Sequence, residues 1–245
     1  MWARHVTAAM AFVAAALSAC GGHLERPSPE SATPVLEGAV SVVWDVADPD
    51  AEDSDIEYHV AVVFRLRNPA TAAMPEASYR VRLTDSHGAT LADSLPQRTA
   101  LAPGESRYVV YTRDDISASG NPADRKQVAQ RAPQAATVTT GPSPLDSTAI
   151  PPSALWRSHQ VRASCDTEGI CSVTGEIEWT GDQPAPAPQI AVVAFEGGQL
   201  VAGGLGGGSG AQLRPHQREE FDVIVIASSR KLPAKIEVIP HLLPD

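Results

Sequence analysis

Tyr58-His59-Val60-Ala61-Val62-Val63-Phe64-Arg65-Leu66-Arg67 decides the fold. Val62, Phe64 and Leu66 alternate with Arg65 and Arg67, the period of a half-buried β-strand, and the expectation is one buried face and one wet face. Val40 to Val46 reads the same way upstream, and Asn68-Pro69 stops the quoted strand. Downstream, Tyr79, Val81 and Leu83 alternate with Arg80, Arg82 and Thr84, and Ser86-His87-Gly88 turns the chain into Ala89 to Leu95. Ala102-Pro103-Gly104-Glu105 turns it again into Arg107 to Thr112. Several short antiparallel strands within one small unit point to a β-sandwich.

A second series follows at Cys171–Thr180, Gln189–Phe195, Gln199–Ala202, Glu219–Ala227 and Ala234–Ile239. Leu101-Ala102-Pro103 is echoed by Leu213-Arg214-Pro215, 112 residues on, and Gly88 and Leu91 find loose counterparts in Gly198 and Leu200. The echo suggests a tandem duplication; two unrelated strand sets sharing a turn is the alternative. Between the series, residues 114–158 are mostly Ala, Pro, Ser and Thr. Asn121-Pro122-Ala123-Asp124 leading to Arg131 reads as one short helix on the surface, with Asn121 as cap and Pro133 as stop.

The composition agrees. The 245 residues are 43% apolar and 20% charged, with only 5% aromatic, so a core of Val, Leu, Ile and Ala between frequent Pro and Gly turns is expected. A net charge of −10 without a basic stripe excludes non-specific nucleic-acid binding, which needs clustered Lys and Arg on the phosphates.

The N-terminus has a positive n-region, an apolar stretch too short for a stop-transfer helix, and then small residues, the layout of an export signal. Leu17-Ser18-Ala19-Cys20 resembles the lipobox of bacterial lipoproteins at all four positions. The resemblance implies a diacylglyceryl thioether on Cys20, cleavage after Ala19 and an acylated new N-terminus; more than one acyl chain gives stable anchoring. Position +2 is Gly21, not the Asp that holds many lipoproteins at the inner membrane, so the outer membrane is expected where a cell has two, and otherwise the outer face of the plasma membrane. Residues 21–38, rich in Gly, Pro, Ser and Glu, read as a tether that reaches at most about 60 Å. Loss of residues 1–19 takes one Arg and no acid, leaving a body of charge −11 that an anionic lipid surface repels.

Asn68, Val81-x-Leu83-x-Asp85-x-x-Gly88 and Leu101-Ala102-Pro103-Gly104-Glu105 resemble the immunoglobulin-like domains of exported bacterial lipoproteins, including the FxLyD-type group. The resemblance covers Val40 to Thr112; the second half departs from it, with Phe195-Glu196-Gly197-Gly198 and Arg214-Pro215-His216 at the two turns. It implies a sandwich fold and an extracytoplasmic life, and it carries no catalytic residues.

Four features bear on chemistry. With Cys20 lipidated, Cys165 and Cys171 remain as an even pair in an oxidising compartment, which reads as a structural disulfide. Seven acids stand between Asp45 and Glu57 without a base. A solvated hairpin loop explains them, and Asp48, Asp50, Asp53 and Asp55 are the calcium candidates, though the loop lacks the turn Gly and terminal Glu of a calcium-binding pattern. Gly203 to Gly210 lacks phosphate-loop spacing and reads as a flexible hairpin tip. The histidines His23, His59, His87, His159, His216 and His241 are scattered singly, and Trp44, Trp156 and Trp179 read as core or seam anchors.

The expected architecture is all-β: tandem immunoglobulin-like β-sandwiches with one short linker helix. Its segments are a signal peptide at 1–19, lipidated Cys20 and tether at 20–38, sandwiches at 39–113 and 159–245, and a linker at 114–158. The expected role is a membrane-anchored, non-catalytic binding or scaffolding module of the cell envelope, whose partner is an envelope protein or polymer and which needs no cofactor. The alternatives are a structural spacer without a specific ligand, and a secreted hydrolase starting from His59 or His87 beside the acidic segment.

Overall fold

A computed structural model describes residues 30–46, 56–118, 124–147, 150–166, 170–207, 212–227, 232 and 235–241. The first sandwich holds β1 (Ser31–Ala32), β2 (Val35–Val46), β3 (Ile56–Arg67), β4 (Met74–Thr84), β5 (Thr90–Asp93), β6 (Gln97–Leu101), β7 (Ser106–Ala118), α1 (Arg125–Arg131), β8 (Ala135–Thr140) and β9 (Ser143–Pro144). A single 3₁₀ turn at Ser153–Leu155 leads into the second. That sandwich holds β10 (Trp156–Cys165), β11 (Cys171–Trp179), β12 (Ala185–Pro186), β13 (Gln189–Glu196), β14 (Gln199–Gly206), β15 (Gln212–Leu213), β16 (Arg218–Ala227) and β17 (Ile236–His241).

The pairing is the same in both. β2, β3 and β7 form one leaf in that order, and β4 pairs with β5, β6 and β8 to form the other. In the second sandwich β10, β11 and β16 repeat the first leaf, and β13, between β14 and β17, repeats the other. The pairs match strands A, B, E and C′, C, F of an immunoglobulin-type sandwich. β16 serves both leaves, pairing with β11 along Arg218–Val225 and with β14 at Ile226 and Ala227, so the six strands form one continuous sheet.

Each pair of leaves closes over its own core. Val60, Val62, Phe64 and Leu66 face Tyr79, Val81, Leu83 and Leu101 in the first. In the second, Val173, Ile177, Phe221 and Val223 face Ile190, Val192 and Ala194. A third cluster joins the sandwiches, for Val43, Ala61, Val63 and Val110 of the first meet Ala191 and Val193 of the second. The molecule is therefore four leaves deep. The leaves of β3 and β13 are inner, and those of β4 and β11 are outer.

The seam corrects the expectation for β3. Its second face is wet at its two ends, at Glu57 and at Arg65 and Arg67; Ala61 and Val63 on that face are buried. The unbroken run Val60 to Phe64 is the mark of a strand covered on both sides, and Ile190-Ala191-Val192-Val193-Ala194 repeats it in β13. The glycine run is corrected at its start, while residues 208–210 lie outside the described residues. Gly203, Gly204 and Gly206 lie within β14, because nothing larger fits: a Cβ on Gly204 would stand 2.4 Å from the Ile224 carbonyl oxygen.

The segment boundaries move for the same reason. Residues expected as tether form β1 and the start of β2, and residues expected as linker form the end of β7, α1, β8, β9 and the first residues of β10. α1 is the sole α-helix among the described residues; its cap is Asp124, which accepts from the Lys126 and Gln127 amides, while Asn121 lies outside the described residues. The helix belongs to the first sandwich, where the Val128 carbonyl accepts from the Tyr58 hydroxyl at 2.8 Å and Ala132 is buried just beyond it.

Gly203 sets the closeness of the seam, since an added Cβ would stand 3.1 Å from Ala61 Cβ and 3.2 Å from Val63 Cγ2. Gly203→Leu should lower unfolding free energy by about 1–3 kcal/mol in chemical denaturation. Gly207→Leu, at a position where an added Cβ meets nothing within 4 Å, should stay within about 0.5 kcal/mol of the parent.

Candidate functional site

The two outer faces are the surfaces the seam leaves free, and the second carries the stronger candidate site. On that leaf the inward residues Val173, Ile177, Phe221 and Val223 alternate with outward Thr174, Glu176, Glu178, Glu220 and Asp222. Register places Glu176 opposite both His159 and Glu220, and Thr174 opposite both Arg162 and Asp222. Between His159 and Arg162 the pairing slips, and Gln160 adopts φ +51°. This bulge interrupts the β10–β11 ladder beside Gly175, where a Cβ would stand 2.9 Å from both the His159 carbonyl oxygen and Phe221 Cζ.

The result is a shallow depression of about 430 Å³ lined by Gln160, Arg162, Thr174, Gly175, Glu176, Glu220, Phe221 and Asp222. Gly175 and the buried Phe221, paired across β11 and β16, complete the lining. Its walls offer carboxylates, one guanidinium and one amide, a donor and acceptor set for a polar ligand rather than an apolar one.

Beside the depression, Glu178 gathers two imidazoles and a guanidinium. His159 Nε2 is hydrogen-bonded to it at 2.6 Å, His216 Nδ1 stands at 3.6 Å and Arg218 Nε at 3.6 Å, while Arg218 Nη1 reaches Glu176 at 3.1 Å. Partial burial pushes the Glu178 carboxyl up, but the His159 hydrogen bond and the Arg218 and His159 charges prevail and hold it below its ordinary range. Spacing along the chain gave no hint of this meeting, because it depends on the β10–β11 register and on the turn that carries His216 at φ +60°.

The other predicted residues fall as follows. Cys165 and Cys171 form a disulfide that closes the β10–β11 hairpin. Cys20 and the calcium candidates Asp48, Asp50, Asp53 and Asp55 lie outside the described residues. Among the described residues no group of His, Cys, Asp and Glu is arranged to hold a metal ion. His59 sits within β3, paired in register with Asp45, and His87 lies in the turn after β4, where its amide donates to Asp85 Oδ1; no hydrogen bond among the described residues joins the two histidines. Trp156 and Trp179 are both buried in the second core, with rings 4.7 Å apart, and Trp44 meets Tyr58 edge to face at 5.6 Å.

No protein-family model matches the chain, and no curated protein matches it. Among solved structures it is similar to the N-terminal CBM22-1–CBM22-2 tandem domain of Paenibacillus barcinonensis Xyn10C. The similarity is 10% identity over 86% of each chain with a TM-score of 0.15, too slight to bear on a ligand.

Because the folded state holds the Glu178 carboxyl down, its ionised form stabilises the protein above the unfolded value, and that contribution is lost as pH falls through the folded value. Glu178→Gln should therefore melt lower than the parent at pH 6, and the gap should close as pH drops below the ordinary value of 4.5. Closing so short a loop is worth about 2 kcal/mol in the chain-entropy treatment, so the paired Cys165→Ser and Cys171→Ser change should cost that much in chemical denaturation, and the reduced parent should match it.

Proposed function

We propose that the chain is an exported lipoprotein, anchored through Cys20, that acts as a non-catalytic binding or scaffolding module of the bacterial cell envelope. The observation that carries this reading is the polar depression between β10 and β16, on the outer leaf of the second sandwich. That leaf is the last in the stack of four, with the whole first sandwich between it and the leader segment in chain order. Its mixed carboxylate, guanidinium and amide lining suits recognition of a polar partner, an envelope protein or a hydroxylated or charged polymer. The match of Leu17-Ser18-Ala19-Cys20 to a lipobox supports the anchor, and the paired Cys165 and Cys171 agree with an oxidising compartment. In a cell with two membranes the expected site is the outer membrane, facing the periplasm.

Photocrosslinking from position 224, at the rim of the depression, tests the reading in intact cells. The lipidated protein should capture a reproducible envelope component. Cys20→Ser should abolish that capture, and Glu220→Lys with Asp222→Lys should weaken it about tenfold, the loss of roughly 1.4 kcal/mol. Identical capture from all three would overturn both the anchor and the site.

A further inference from the structure

The two sandwiches meet head to tail. In the seam the β3 leaf of the first meets the β13 leaf of the second, and the pairing described above makes β13 the counterpart of β4 and β11 the counterpart of β3. A contact between unlike faces does not close on itself; it leaves the same two faces unused at the two ends. Those unused faces are the outer leaves.

Matching the registers shows what each end presents at the seam positions. Arg80 and Arg82 stand where Ala191 and Val193 enter the seam, and Thr174 and Asp222 stand where Val63 and Val110 do. At these positions one end carries two arginines around Asp93, and the other carries Asp222 beside Glu176 and Glu220, with Arg162 in register with Thr174. Leu95, in the position of Leu205, is 78% exposed, whereas Leu205 lies against the seam cluster; Ile224, on the acidic end, is 67% exposed. Single exposed apolar residues are ordinary on a protein surface, and it is the difference in charge that makes the two faces complementary; a contact would also cover Leu95 and Ile224.

We infer that a second copy of this chain docks head to tail, the basic β4 leaf of one molecule against the acidic β11 leaf of the next, with the geometry of the internal seam. Asp93 occupies the position of Gly203, so the copies meet through side-chain tips, not backbone to backbone, and the contact is weaker and wetter than the seam. Close charges set the register, since separations beyond about 8 Å are screened at physiological salt. This inference does not depend on the proposed anchor, but the contact covers Thr174, Glu220 and Asp222, which line the depression, so a second copy and another ligand would exclude each other there.

The seam also supplies the test. Gly203 approaches Val63, so residue 93 of one copy should approach residue 174 of another. Two full-length chains carrying Cys20→Ser, one with Asp93→Cys and one with Thr174→Cys, would be mixed at about 0.5 mM, where a contact of about 1 mM dissociation constant is appreciably populated, and treated with a short bismaleimide. The mixed 93–174 product should exceed the 93–93 and 174–174 products at least about fivefold, and salt at about 1 M, where the Debye length is about 3 Å, should remove the excess. Equal products, or none, would overturn the inference. A chain with Arg80→Glu and Arg82→Glu and a chain with Glu220→Arg and Asp222→Arg, each checked for a native circular dichroism spectrum, should sediment as monomers alone and as dimers and longer open assemblies when mixed. A mixture that stays monomeric would overturn it independently.

Discussion

The contact of Ala61 and Val63 with Gly203, and the Ala191 and Val193 side chains that join them, makes two small sandwiches into one body. A β-unit of this size standing alone buries a modest fraction of its surface and is marginal for that reason. Here β3 and β13 are covered on both faces, so every residue from Val60 to Phe64 and from Ile190 to Ala194 adds apolar burial. Each buried Val contributes roughly 1.5–2 kcal/mol relative to an exposed one. A polar tie reinforces the end of the seam. Buried Arg107 donates from Nη1 to the Pro240 carbonyl at 3.2 Å and from Nη2 to Thr99 Oγ1 and the Ala100 carbonyl, while Glu105 accepts from the amides of Ala102 and Ser153. Those bonds offset the desolvation of two charges that stand 4.0 Å apart.

The second sandwich keeps the first one's frame while exchanging its residues. The Asn68 amide donates to the Glu105 carbonyl at 2.8 Å, and the Trp179 amide donates to the Gln217 carbonyl at 3.1 Å. Glu105 accepts from the Ala102 amide and Gln217 from the Arg214 amide, at 2.8 and 3.0 Å. Even the side-chain cap survives, for Asn68 Nδ2 reaches the Ala72 carbonyl and Trp179 Nε1 the Gln183 carbonyl. The same bonds made through different side chains are what the duplication reading expects of the two units. It also locates the divergence. Gly104 takes φ +67° at no steric cost, and His216 takes φ +60° at the matching position, where a side chain is strained but brings an imidazole to Glu178.

The strands were legible where large apolar residues alternate, as in Tyr79-Val81-Leu83, and the repeat was legible in Leu101 and Leu213 because both close the same turn. Others were not, β6 and the two-residue strands among them. β8, Ala-Ala-Thr-Val-Thr-Thr, buries only Val138 fully, and β10 buries only Trp156, so neither carries a period that composition could separate from a linker. The seam did have a signal, the broken alternation at Val60 to Phe64, but two-sided burial and a long one-sided strand look alike until a second such run is placed against the first. The depression had none, since it arises from a bulge at Gln160 and from the pairing of β11 with β16, two strands far apart in sequence.

Polarity across the four leaves follows from which faces must stay dry. The inner leaves carry Ala, Val and Gly on their seam faces, and the outer leaves carry Arg80 and Arg82 at one end and Glu176, Glu220 and Asp222 at the other. Charge at the ends keeps the apolar contact from repeating without limit, as capping units do in stacked repeats. The charges are not alike at the two ends, however, and salt bridges such as Arg80 and Arg82 to Asp93, at 3.3 and 3.0 Å, leave each end with part of its sign unneutralised. A net charge of −10 repels copies at long range, while opposite ends attract at contact. The balance favours the free molecule in dilute solution. It shifts toward contact when copies are confined together, as the proposed lipid anchor would do, because confinement raises effective concentration without any new interaction.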